Sequence, residues 1–391
     1  MVAPAIYLDN AATSWPKPEP VYAAVDTAMR EHGGNPGRAA HRLSVAAEKI
    51  VEDARHDVAR LFNAPNPERV TLTLNCTDAL NLILKGLIKR GHRVVTGPFE
   101  HNSVARPLHS LAAAGAIVTR CRPTPRGAVD LDHLRDLCRA GVDFVVMQHV
   151  SNVTGFVAPL RDIAAIAHQH GGVFVVDAAQ SAGSIEIDMA ALGIDALAAP
   201  GHKGLCGPMG TGVLVLAADL PVAPFREGGS GIESEHDEHP QRYPWRLEGG
   251  TCNVPGIAGL SAGIRFIESA GVAAIGQREA ALARGLVDGL RAIDTVRLFG
   301  LAGPPQCGVV SFRIEGLDVA LTGAILDQSH GIAVRTGLHC APWAHRAVGS
   351  FPEGTIRASF GPFNSEAEVV ALVSAVRDIV ADFGRHRGLQ T

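Results

Sequence analysis

A single lysine, Lys203, stands among glycines in the stretch LAAPGHKGLCGPMGTG, just after a short apolar run. An amine in that setting is either a solvated loop charge or a buried group with chemistry to perform. Asp177 closes another apolar run, VFVVD, where a carboxylate without a cationic partner would be costly. Thr77 precedes a helical pattern whose first N–H groups are free to bind an anion, and His202 beside the lysine adds a donor. Together these suit a cofactor of the pyridoxal phosphate type: it condenses with a lysine, needs a carboxylate at its pyridine nitrogen, and needs donors around its phosphate. Equally, Asp177 caps the next helix, and many strand-to-helix turns resemble the one at Thr77. The following GPMGTG fits neither a nucleotide phosphate loop nor a dinucleotide fingerprint and reads as turn glycines.

The elements that must position these residues are legible as periodic runs. From about residue 70 to 217, VTLTL, RVVTG, IVTRC, DFVVMQHV, VFVVDAA, IDALAAP and GVLVLA alternate with longer Ala/Leu-rich segments, the pattern of an α/β sheet covered on both faces. In TDALNLILKGLIKRG, Thr77 is the expected cap, Leu80, Ile83, Leu84 and Leu87 recur at helical spacing, and Gly91 ends the run. Long helices follow near 256–292, then CGVVSFRIEG, GIAVRTG and GTIRASFG suggest a small α+β unit. The domains are placed at 15–262 and 263–391, with an N-terminal arm, 1–14, near the second.

With 391 residues and 47% hydrophobic content, the chain can bury two cores. A net charge of -4 gives no general attraction to nucleic acid or anionic membrane, so a small molecule is the default partner. The start lacks a secretory signal and no apolar run is long enough to span a bilayer, which gives the expectation of a cytoplasmic protein. Seven scattered cysteines, none in a C-x-x-C pair, fit neither a disulfide framework nor a zinc site. The His/carboxylate-rich ESEHDEHPQRYPW reads as a solvated loop, and no metal is expected.

LDNAATS, EHNSVARP, HVSNVTG, VVDAAQSAG, GHKGLCGPMGTG, LEGGTCN, VRTGLHCA and IRASFGPFN occur in the order found in cysteine desulfurases. On these motifs the chain resembles the class V aminotransferase family of pyridoxal-phosphate enzymes, from about residue 7 to the last helix. The resemblance implies fold type I: a large domain with a mainly parallel seven-stranded sheet between helices, and a smaller α+β C-terminal domain. It implies that Lys203 carries pyridoxal phosphate, Asp177 pairs with the pyridine nitrogen, Gln180 reaches the phenolic oxygen, and His101 stacks on the ring and relays protons. It places Asn152 near cofactor and substrate carboxylate, Arg357 on that carboxylate, and Arg335 in the same pocket. Thr251 in GGTCN matches a threonine reaching the neighbouring subunit's phosphate, which implies a homodimer with shared sites. Two positions depart from the family pattern: NCT puts Cys76 at a phosphate-side hydroxyl position, and Pro200 stands where a serine is common, leaving Thr77, His202 and Thr251 to hold the phosphate.

The reaction turns on Cys340 in RTGLHCAPWAH, which matches the family's nucleophilic cysteine. The implied cycle takes L-cysteine: Lys203 removes the α-proton, the Cys340 thiolate attacks the substrate sulfur, alanine leaves, and a persulfide remains on Cys340 for a sulfur-acceptor protein or thiol. Only about 16 residues separate Cys340 from Arg357, as in short-loop relatives. Selenocysteine as substrate, an aminotransferase or epimerase with a dispensable Cys340, and a non-catalytic sulfur-carrier scaffold are the alternatives.

Overall fold

The computed structural model describes residues 6–37, 41–217 and 219–388, with side chains as far as 383. All seven apolar runs between 70 and 217 pair in one sheet. Its spatial order is Val70–Thr73, Gly212–Leu216, Ala196–Pro200, Val173–Asp177, Phe144–Gln148, Arg93–Thr96, Ile117–Arg120. Only Gly212–Leu216 runs against its neighbours; the other pairings are parallel. Phe144–Gln148, Ala196–Pro200 and Gly212–Leu216 are buried along their whole length, which is why they read as continuous apolar runs rather than alternating ones.

Alternate side chains feed two cores. Val94, Phe144, Val146, Val175, Ala198 and Leu214 pack with Leu80, Ile83, Leu84 and Leu87 of the helix Cys76–Leu87. Val95, Val145, Met147, Phe174, Val176 and Leu197 pack on the other face with Val58, Ile163, Leu260 and Ile264. The helix Cys76–Leu87 is capped by Asn75, whose side chain accepts from the Asp78 N–H, and not by Thr77, which lies one residue inside it. Asn75 already has extended backbone dihedrals, so the helix is capped two residues earlier than expected. The helix also ends at Leu87; Gly91, at φ +87°, shapes the turn into the next strand.

A second, antiparallel sheet has the order Arg335–Gly337, Thr355–Ser359, Val309–Ile314, Val296–Phe299. Phe312 and Ile356 pack there with Leu286 and Leu290 of the helix Val272–Arg291 and with Leu372 and Val376 of the last helix, Glu366–Gly388. The helices Val254–Ala270 and Val272–Arg291 meet at 79°; Gly271, at φ +83°, makes the bend, and residue 262 lies inside the first of them. The N-terminal arm pairs Ile6–Tyr7 with Ile332–Ala333, then gives the Asn10 amide to Ser359 O. Further on it reaches the large domain, where Thr13 and Ser14 hydrogen-bond the carbonyl of His202. No single described helix is long and apolar enough to cross a membrane.

Candidate active site

The strands Phe144–Gln148 and Val173–Asp177 deliver Gln148 and Asp177 from their carboxyl ends, and the turn after Ala196–Pro200 delivers Lys203. A parallel sheet opens its ligand crevice at that edge. There the chain encloses a cavity of about 210 Å³. Eleven of the twelve residues singled out from sequence line it: Cys76, Thr77, His101, Asn152, Asp177, Gln180, His202, Lys203, Arg335, Cys340 and Arg357. Thr251 does not; it is exposed, between Gly250 and the helix Val254–Ala270.

Burial raises the Asp177 carboxyl above the usual range, while the Ala179 N–H, Lys203, the Cys76 thiol and Ser103 pull it back. Its Oδ1 accepts from Ala179 N–H at 2.9 Å and from the Cys76 thiol at 3.6 Å. The Cys76 side chain is therefore spent on Asp177, and what Cys76 offers a phosphate is its N–H. Burial also lowers the Lys203 amine, opposed by Cys76 and Asp177 and reinforced by Arg357 and Arg335. An amine held that way is easily made neutral, the form that acts as nucleophile and base.

His101 caps the helix Asn102–Ala113, its Nδ1 accepting the Ser103 N–H at 3.1 Å. Burial, with Lys203, Arg335, Arg357 and Arg106 as neighbouring charges, brings its pKa down to about 4. The ring is neutral near pH 7 and carries its proton on Nε2. Gln180 gives an amide N–H to Ala11 O at 2.9 Å. Burial, then Lys203 and Lys17, lowers His202 to about 4.

On the far wall Arg335 and Arg357 sit directly opposite one another on adjacent antiparallel strands. Like charges so placed repel. One carboxylate answers them: Asp9 Oδ1 accepts from Arg357 Nη2 at 2.8 Å, while Arg357 Nη1 donates to Asn152 O at 3.1 Å. Two guanidinium groups against one carboxylate leave this wall net positive, as a substrate carboxylate requires. Asn152 Nδ2 donates to His339 O at 2.7 Å, and the Asn102 N–H to Cys340 O at 2.8 Å. Those bonds hold His339 and Cys340 in left-handed conformations, at φ +46° and +56°. The Cys340 thiol is exposed at the cavity, whereas Cys76, Cys121, Cys138, Cys206 and Cys307 are buried and Cys252 half-buried.

Among the described residues, four that line the cavity each hold a buried polar atom without a hydrogen-bond partner: His202 Nδ1, Asn152 Oδ1, Arg357 Nε and His339 Nδ1. With the lone Asp177 carboxyl, the Lys203 amine and the helix N-terminus at Cys76, they fit a group that brings both a cation and an anion. Pyridoxal phosphate is such a group.

The aminotransferase class V family model matches residues 6–372. The chain belongs to that family. Among its class V relatives, a probable cysteine desulfurase of Methanothermobacter thermautotrophicus is 34% identical over 96% of this chain and 94% of its own. A solved cysteine desulfurase of Thermococcus onnurineus, in apo form, superposes with a TM-score of 0.91 at 36% identity, covering 97% of this chain and 95% of its own. The cysteine desulfurase CsdA of Escherichia coli, solved as an S-sulfonic acid form, gives 0.87 at 30% identity, over 96% and 95%.

Sequence reasoning missed Asp9, Ser103 and Gln148. Ser103 was within reach, two residues after His101. Asp9 was not, because its partner is 348 positions away.

Proposed function

We propose that this chain is a cysteine desulfurase that uses pyridoxal phosphate, takes L-cysteine to L-alanine and receives the sulfur on Cys340 as a persulfide. The observation that carries the reading is the meeting of Lys203, the Arg335/Arg357 wall and an exposed Cys340 in one cavity. Names of relatives at 34% and 36% identity support it.

When bound, the cofactor supplies an electron sink for the substrate's α-carbon. The residues do the rest. Lys203 Nζ would hold the group and then serve as the base for the α-proton. Asp177 would keep the pyridine nitrogen protonated, a cation that answers its buried carboxylate. The N–H groups at Cys76 and Thr77, with His202, would receive the phosphate. Arg357, oriented by Asp9 and Asn152 O, would take the substrate carboxylate beside Arg335. The Cys340 sulfur then attacks the substrate sulfur: the S–S bond forms as the C–S bond breaks, and its electron pair stays with the carbon fragment that is protonated to alanine. A thiol acceptor, small or carried by a protein, would remove the sulfur. Because the Cys340 loop is tied at two consecutive carbonyls, that acceptor comes to the cavity mouth.

The test follows sulfur. Wild-type protein loaded with pyridoxal phosphate, given L-cysteine and digested without reductant, should carry one extra sulfur on the Cys340 peptide. Cys340→Ala should keep the visible cofactor band and form almost no alanine. A Cys340→Ala protein that releases sulfide at the wild-type rate would turn the reading toward a lyase.

A further inference from the structure

We propose that Lys17, three residues past the end of the N-terminal arm, is a positioning residue for Lys203, its ammonium pinning the peptide that joins His202 to Lys203. The inference rests on Lys203 being the cofactor-holding lysine. Lys17 Nζ donates to His202 O at 2.8 Å and to Ser14 Oγ at 2.7 Å. Ser14 Oγ in turn donates to Lys203 O at 2.9 Å. Thr13 Oγ1 and the Ser14 N–H both end on His202 O at 3.0 Å. Thr13, Ser14 and Lys17 thus gather their donors on two consecutive carbonyls of the lysine loop, and only Lys17 brings a charge, which makes its bonds the stronger ones. The loop has ties of its own, Cys206 N–H to Lys203 O at 2.8 Å and Gly207 N–H to Gly201 O at 2.7 Å, and the donors from residues 13, 14 and 17 add a hold from outside it.

Lys17 pairs with no carboxylate among the described residues. Burial brings its pKa down to about 8, with Cys206 the one titratable neighbour acting the other way. His202 also faces it, and burial keeps that ring neutral near pH 7. A lowered lysine pKa means the charged form is disfavoured by folding, so below about pH 8 this charge lessens stability. Methionine would pack the same stem without that cost. What the charge adds is a firm grip on the carbonyls beside Lys203, and that separates positioning from simple anchoring of the arm.

The experiment uses the full chain loaded with pyridoxal phosphate, as wild type, K17M and K17R. Cofactor release is followed as the visible band is lost after large dilution, and melting is followed on the unloaded proteins. K17M should release the cofactor about tenfold faster, the scale of one lost charge-assisted bond, and melt no lower than wild type. K17R, which keeps a charged donor, should stay close to wild type in release. Should K17M fail to fold, K17Q gives the same comparison. Release from K17M or K17Q at the wild-type rate overturns the proposal. So does a K17M or K17Q whose faster release comes with a much lower melting point, since that marks a merely structural role. A wild-type protein that takes up no pyridoxal phosphate overturns the Lys203 reading, and this one with it.

Discussion

Arg357 has two tasks that pull on the same guanidinium. It must stay charged while only 2% exposed, which burial resists, and it must leave part of its fork for a substrate. Asp9 and Asn152 O serve the first task on Nη2 and Nη1, and each of those nitrogens carries a second N–H for the second. Arg357→Ala should therefore raise the KM for L-cysteine more than tenfold, on the scale of about 2 to 5 kcal/mol for a broken buried charge pair, and leave the visible cofactor band in place. Steady-state kinetics beside an absorption spectrum checks both halves; an unchanged KM would pass the carboxylate to Arg335. A second residue sets a pH dependence. Glu279 is buried on the helix Val272–Arg291, and burial alone raises its carboxyl to about 8. Its folded pKa lies above its unfolded one, so the stability it contributes is complete below about pH 4.3 and lost as pH rises through about 8. Glu279→Gln should melt progressively higher than wild type as pH is taken from 5 to 9, and a difference that stays flat with pH would contradict this. Lys203 and Asp177 were legible in sequence because each broke a local rule, a charge among glycines or at the end of an apolar run. Glu279 broke none, since one carboxylate on an amphipathic helix looks solvated until its neighbours are known.

The elements were legible wherever burial is symmetrical. Seven runs of β-branched and apolar residues became seven strands, most plainly the three covered on both faces, which write their burial directly into the sequence; the edge strand Ile117–Arg120 is mostly exposed. Register and close approach were not legible, because they join segments far apart in the chain. Nothing local announces that Arg335 faces Arg357, or that Ile6–Tyr7 pairs beside Ile332–Ala333. One such approach holds the active-site loop. Gly183, in the turn after Asp177, lies at φ +92°, and a Cβ there would overlap the Gly204 carbonyl, one residue past Lys203. Backbone offers no rotamer by which to yield. Gly183→Ala should thus act on the lysine loop as well as on stability, lowering the melting temperature and slowing cofactor uptake together. Asn75→Ala is the contrasting case. It removes the cap from the helix Cys76–Leu87 and should cost about 1 kcal/mol in denaturant unfolding, with the first N–H groups still present to meet a phosphate. If Gly183→Ala took up cofactor normally, the contact between the two turns would carry no function.

At the scale of the whole molecule, the residue that stands apart is Thr251. Every other residue singled out from sequence lines the cavity of its own chain, while Thr251 is exposed on the segment leading into the helix Val254–Ala270. Its likeness to a family threonine that serves the neighbouring subunit's phosphate makes sense of both facts if two chains pair so that each completes the other's site. A shared site has a consequence that an ordinary dimer contact lacks. In a dimer joining a Lys203→Ala chain to a Thr251→Ala chain, one site takes its lysine from the second chain and its threonine from the first, and is therefore intact. The other site lacks both. Random re-pairing of the two variants in equal amounts makes half the dimers mixed, so about a quarter of all sites should be whole. Lys203→Ala alone should form no cofactor band, and Thr251→Ala alone should bind pyridoxal phosphate weakly. After the two are unfolded and refolded together at limiting cofactor, tight binding should return to about that quarter, with sedimentation giving twice the chain mass. Tight binding that never exceeds the weighted mean of the separate variants would place Thr251 outside any shared site and leave each chain to hold its cofactor alone.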